Sequence, residues 1–181
     1  MTVAAGMVAE ADATDDMERR GNGRIGRLFD GRYARASRGS FLGGFRCGRV
    51  RQLDAVASRF LTGLADRAPL LGTPAAADSD PGLVFVDVDD TIIEVHGYKK
   101  QGASFGYSGV RGLNALLATA STASSAPVIL GQRLRQGKTG SPKGAARIVG
   151  DALATLRRMH SGSSARPLLR ADSAFYGHAT V

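Results

Sequence analysis

Three carboxylates fall within four positions, Asp87, Asp89 and Asp90, directly behind the apolar run Leu83-Val84-Phe85-Val86. Side chains alternate along an extended strand, so Asp87 and Asp89 belong to one face and Asp90 to the other. Carboxylates packed this closely repel one another and coexist only with a cation or with protons. A hard divalent ion such as Mg2+ or Mn2+ suits them, because it takes oxygen ligands and needs few from the protein. A further acid, Asp172, follows a second short apolar run, Pro167-Leu168-Leu169. Acids delivered by two strands suit in-line phosphoryl transfer. There, two ions about 3.5–4 Å apart activate the attacking oxygen and stabilise the leaving one.

Two chemistries begin with such a strand. The spacing Asp87-x-Asp89-x-Thr91 matches the opening motif of haloacid-dehalogenase-like phosphatases, with Asp87 as nucleophile and Asp89 as general acid. That chemistry also needs a lysine for the phosphate and a later acidic pair, and Asp172 has no acidic companion. In a ribonuclease H-like nuclease or transposase core, one Asp comes from the first strand and the next from the strand after the first helix. Asp89 and Asp172 fit that plan, with Asp87 as an alternative first metal ligand.

The elements that must position these residues can be read from the chain. Leu83 to Val88 is a central strand, and Leu83, Phe85, Leu168 and Leu169 are expected in the core. Val95–Tyr107 is read as a second strand and Leu113–Thr122 as a third, while Ala126–Arg135 extends the third or forms an edge ribbon. Pro142 suits a first helical position. The helix it opens runs to about His160, burying Ala145, Ile148, Val149, Leu153 and Leu156. Pro167-Leu168-Leu169 is the last strand and delivers Arg170-Ala171-Asp172. The expected fold is α/β, a partial ribonuclease H-like core in the order strand, strand, strand, helix, strand, preceded by a basic, mainly helical segment.

That segment is the better candidate for DNA contact. The chain carries a formal charge of +8, and a basic chain is suited to a polyanion. Arg24, Arg27, Arg32, Arg49 and Arg51 lie among glycines, with Phe29, Tyr33, Phe41 and Phe45 interleaved. Guanidinium groups grip phosphates bidentately, and flat rings stack on bases. Lys99, Lys100 and Arg170 are candidate contacts nearer the acids, as is His96. Ser40–Asp66 reads as a helix or helical pair capped by Ser40, with Val50, Leu53, Val56, Ala57, Phe60, Leu61 and Leu64 as a core-facing stripe. The expected organisation is a disordered N-terminus (1–16), the basic helical segment (17–68), a proline-rich linker (69–82) and the catalytic part (83–181). Gln136–Gly140 matches a phosphate-binding loop only superficially. The single cysteine, Cys47, offers neither a disulfide nor a zinc cluster. The absence of any long apolar run predicts no membrane partner. The expected location is the bacterial cytoplasm, in association with the nucleoid.

Several blocks in order, RIGRLFDG, GRVRQLDAVASRFL, FVDVDDTIIEVHGYKKQGASFGY, RGLNALLATAST, RLRQG and LLRADSAFYG, resemble the DDE-type insertion-sequence transposases of the group numbered thirteen-eighty. The resemblance covers nearly everything from Met17 to Val181. It implies a ribonuclease H-like fold, Mg2+ or Mn2+, and metal-dependent DNA cleavage and strand transfer in transposition. The implied partners are DNA, as element ends and target, and further copies of the chain. Asp89 and Asp172 would be the first and second catalytic acids. Such transposases carry a third, a Glu well downstream, whereas only nine residues follow Asp172 here and none is acidic. The expectation is therefore a truncated transposase, inactive alone, or a non-catalytic DNA-binding remnant.

Overall fold

The computed structural model describes residues 35–44, 47–71, 82–97, 100–159 and 165–176. The chain divides into two compact units, residues 1–50 and 51–181. In the first, helix α1 spans Arg35–Gly43. Ser40 sits inside it and is not a cap. Gly44 ends the helix by donating its N–H to the carbonyls of Ser40 and Phe41. Helix α2, Cys47–Ala65, starts in this unit and continues into the second. The expected disordered stretch, 1–16, lies outside the described residues, as do Arg24, Arg27 and Arg32.

The second unit is built on a five-stranded sheet: β1 (Leu83–Glu94), β2 (Ser104–Phe105), β3 (Arg111–Ser121), β4 (Val128–Gln136) and β5 (Arg166–Ala171). Strand β3 lies between β1 on one side and β2 and β4 on the other, all antiparallel to it, while β5 joins the far side of β1 in parallel. Helix α3, Ala145–Met159, connects β4 to β5. Four strands, a helix and a strand follow one another where the sequence reading expected three strands, a helix and a strand. Among the described residues of 95–107 only Ser104 and Phe105 form a strand. Gly97 and Gly102 take positive φ there and turn the chain out of extended geometry. The ribbon at 126–135 is instead a full strand, β4.

One face of the sheet is packed by α3. Val84, Val86 and Val88 of β1 and Leu116, Ala118 and Ala120 of β3 meet Ala145, Ile148, Val149, Ala152 and Leu156 in a single buried cluster. This corrects the expected core of Leu83, Phe85, Leu168 and Leu169. Leu83 is 39% exposed, Leu168 45% and Leu169 39%. Phe85 is half-buried. Since LVFV is apolar at every position, its composition does not say which parity turns inward. Helix α3 supplies the answer by covering the even-numbered residues of β1.

Helix α2 does not put its apolar stripe into this core. Leu53, Val56 and Phe60 are exposed. The helix meets α3 through polar contacts instead: Ser58 Oγ lies 2.8 Å from Thr155 Oγ1, and Arg158 Nη2 donates to Ser58 at 2.6 Å. Leu71 follows α2 and is fully buried in the core, where its carbonyl accepts from Thr122 at 2.9 Å. Leu71, within the expected linker 69–82, is thereby tied to the end of β3.

Helix α3 starts three residues later than Pro142 suggests, because Gly144 has φ +84 and breaks the helical path. A Cβ at Gly144 would meet nothing within 4 Å, so replacing it with Ala tests the backbone alone. Gly144→Ala is expected to lower stability by about 1–2 kcal/mol through left-handed strain. A urea midpoint that does not move would refute that account.

Candidate active site on the exposed sheet face

The odd-numbered residues of β1 form the other face, where Phe85, Asp87, Asp89, Thr91 and Ile93 run in line. The ladder puts Leu168 and Arg170 of β5 beside Phe85 and Asp87, and Leu117 and Ala115 of β3 beside Asp89 and Thr91. Alternation therefore separates the three acids as expected: Asp87 and Asp89 occupy this open face, while Asp90 points with Val88 toward α3.

The β1–β5 ladder ends at the pair Val88–Ala171. Asp89 and Asp172 each follow that last pair by one residue, Asp89 within β1 and Asp172 just past the end of β5. Asp172 is still extended, with φ −74 and ψ 173. It caps a short 3-10 turn, Ser173–Phe175, and its Oδ1 accepts from Ala174 N at 3.0 Å. Asp89 Oδ1 accepts from Asp90 N at 2.8 Å. Both residues are exposed, and among the described residues each keeps its second carboxylate oxygen without a hydrogen bond. Phe175 anchors the turn in the core, 2% exposed.

Asp87 is engaged differently. Both its oxygens are taken by Arg170, from Nε at 2.6 Å and from Nη2 at 2.7 Å. The Arg170 guanidinium also lies over the Phe85 ring, 4.3 Å from its centroid. Hydrogen bonding to Asp87, together with its charge, raises the Arg170 pKa against a smaller opposing effect of desolvation. The sequence left open whether Arg170 meets Asp172 or DNA; its partner is Asp87.

Asp90 belongs to a half-buried network that the sequence did not reveal. Its Oδ2 accepts from Asn114 Nδ2 and from Arg135 Nη2, each at 2.6 Å, and its Oδ1 accepts from Ser141 Oγ at 3.0 Å. Arg135 Nη1 donates onward to the carbonyls of Gly140, Ser141 and Lys143, at 3.3, 3.1 and 2.7 Å. Burial lowers the Arg135 pKa, while the charge and hydrogen bond of Asp90 raise it. Two signals for this network were present: a lone Asn in the apolar run GLNALLATA, and arginines alternating through RLRQ. A polar group in a buried strand needs a partner.

Among the other candidates, Lys100 and His96 are exposed. Lys99 lies outside the described residues, as does the side chain of Arg51. Arg49 is exposed and donates to the carbonyl of Gly44 at 2.9 Å. The 136–140 loop offers no amide cradle. Gly137 N–H goes to Gly102 O at 3.2 Å, Lys138 N–H to Ser104 Oγ at 3.0 Å and Thr139 N–H to Gln136 O at 2.9 Å. A cleft of about 740 Å³ lies between α2, β4 and α3. Its lining includes Arg59, Arg133, Arg147 and Arg158 opposite Asp54 and Asp151, and none of the predicted site residues.

Among the described residues no three His, Cys, Asp or Glu side chains gather in a metal-binding group. No described helix is long and apolar enough to cross a membrane. No family model, curated protein or solved structure matches the chain.

Proposed function

We propose that the exposed sheet face is the metal-binding part of a DNA-processing site, in a chain built as a partial ribonuclease H-like core and acting as a DDE-type transposase. The observation that carries this reading is that the β1–β5 ladder ends at Val88–Ala171, with Asp89 and Asp172 each the next residue on its chain and each with a carboxylate oxygen free of hydrogen bonds among the described residues. Two such oxygens suit one hard ion, which completes its shell with water and substrate. The sheet, with the four antiparallel strands β1 to β4, a crossover helix and a parallel strand on the far side of β1, supports a core of this kind. When bound, Mg2+ or Mn2+ would polarise a phosphodiester oxygen and acidify a water. Asp89 and Asp172 would hold the ion, with β1 and β5 fixing their spacing. By the resemblance, the DNA partners are element ends and target, and the chain acts with other copies of itself. The N-terminal arginines and Arg49 supply the phosphate contacts.

The phosphatase reading is less well supported. Its nucleophile, Asp87, has both oxygens held by Arg170, and β1 runs on through Glu94 instead of ending behind the motif.

The test is Mn2+ binding, read by electron paramagnetic resonance on the full chain. Asp89→Asn and Asp172→Asn should each weaken binding more than about tenfold, since even supporting partners of metal ligands are worth that much. Glu94→Gln should change nothing, because Glu94 lies an odd number of residues from Asp89 and faces the other way. Unaltered Mn2+ affinity in both Asp variants would end this reading. Turnover of an aryl phosphate, lost on Asp87→Asn, would install the phosphatase instead.

A further inference from the structure

Arg170 is held on two sides. Asp87 takes one edge of its guanidinium through Nε and Nη2, and Phe85 supports its plane from 4.3 Å. The third nitrogen, Nη1, donates to nothing among the described residues, and the side chain remains 52% exposed. Phe85, Asp87 and Arg170 share the face of Asp89, and Arg170 stands two residues before Asp172 on the same strand. Exposed ion pairs contribute little to stability, so a staple between two strands is a weak explanation for so constrained a geometry. A planar guanidinium fixed on one edge and presented on the other suits an anion with in-plane oxygens, such as a phosphodiester.

We propose that Arg170 is a phosphate-binding residue of this face, aimed by Asp87 and Phe85 at the backbone of a nucleic-acid strand lying over Asp89 and Asp172. The proposal rests on the reading of this face as a DNA-processing site. It assigns Asp87 a positioning role, outside the metal ligands. The carboxylates Asp89 and Asp172 repel a polyanion, and an oriented guanidinium beside them offsets that repulsion where the strand must approach.

The proposal reverses the sign expected from charge alone. Removing a negative charge generally strengthens binding of a polyanion, so Asp87→Asn would tighten it if Asp87 were only a charge. If Asp87 aims Arg170, the same change weakens binding. The experiment titrates a fluorescein-labelled single-stranded oligonucleotide with the full chain at low salt. Asp87→Asn and Arg170→Ala should each weaken binding roughly three- to tenfold, the range for one hydrogen bond of ordinary net strength at an exposed site. The double variant should be no weaker than Arg170→Ala. Arg170→Lys should not restore affinity, because an ammonium cannot form the bidentate pair. In Arg170→Ala the slope of log affinity against log salt should fall by about 0.7, one phosphate's share on a single strand.

Phe85→Leu keeps both charges and removes only the supporting ring, so a weaker complex is expected there too; it also serves if Asp87→Asn does not fold. Tighter binding by Asp87→Asn, or unchanged binding by Arg170→Ala, overturns the proposal. If that occurs while Mn2+ affinity still depends on Asp89 and Asp172, the metal reading stands and only the role of Arg170 falls. If the unmodified chain binds no oligonucleotide at low salt, both fail.

Discussion

Replacing Arg135 with methionine is expected to destabilise the second unit by about 3–5 kcal/mol, the usual consequence of removing one partner from a buried ion pair. Methionine keeps much of the side chain's length but donates no hydrogen bond. Asp90, whose side chain is 14% exposed, would retain only Asn114 and Ser141 as neutral donors. The carbonyls of Gly140, Ser141 and Lys143 would lose the donor that gathers them ahead of α3. A second replacement separates the two causes. In Arg135→Met/Asp90→Leu no charge remains to be stranded, so much of the loss should be recovered. The recovery will be incomplete, because the three carbonyls stay without Arg135. Urea denaturation with an unchanged m-value is the measurement. A loss below about 1 kcal/mol in the single variant would show that the pair behaves as an exposed one.

Gly137→Ala is expected to be comparably damaging, at about 3 kcal/mol or more, as overpacking against rigid atoms. Gly137 is buried where the end of β4 crosses β2 and β3. A Cβ there would run into the carbonyl oxygens of Gly112 and Ser104, closer than real Cβ contacts come. Both obstacles are backbone, so no side chain can rotate away and the strands themselves must part. The same replacement at Gly140, three residues on, meets nothing within 4 Å. It should change stability by no more than about 0.5 kcal/mol. Thermal melting of the two variants side by side decides the point. Equal melting temperatures would mean that the crossing is looser than its geometry implies.

Local patterns carried the fold further than they carried the site. Ala145, Ile148, Val149 and Leu156 recur at helical spacing, and that alone revealed the buried face of α3. The run after Pro167 and the run after Gly82 declared themselves as strands by composition. The inward parity of β1 was misread, because LVFV is apolar throughout and only the acids on the face of Leu83 and Phe85 spoke against that face as the core. What was hidden depends on pairing across distance. Asp90 meets Arg135 across 45 residues and Asp87 meets Arg170 across 83. Neither partnership leaves a periodic trace. They are created by the registers of β3 on β1, of β4 on β3 and of β5 on β1, which no local run of residues specifies. The stripe on α2 failed for a related reason, since helical spacing marks a face without saying that anything covers it.

Among the described residues strand β5 pairs with β1 alone, and all six of its residues are exposed. Antiparallel β1 and β3 can zip from a nearby turn, but β5 must return across the length of β3, β4 and α3 before it finds its place. Contacts of such long range are slow to form because a large loop has to close first. On this ground Asp89, on β1, is expected to be in place before Asp172, which follows the last strand. Any ion that clasps the two draws on the same free energy that docks β5, so occupancy and the completeness of the sheet rise and fall together. Amide exchange along β5 should then slow when Mn2+ is added, while the amides shared by β1 and β3 keep their pace.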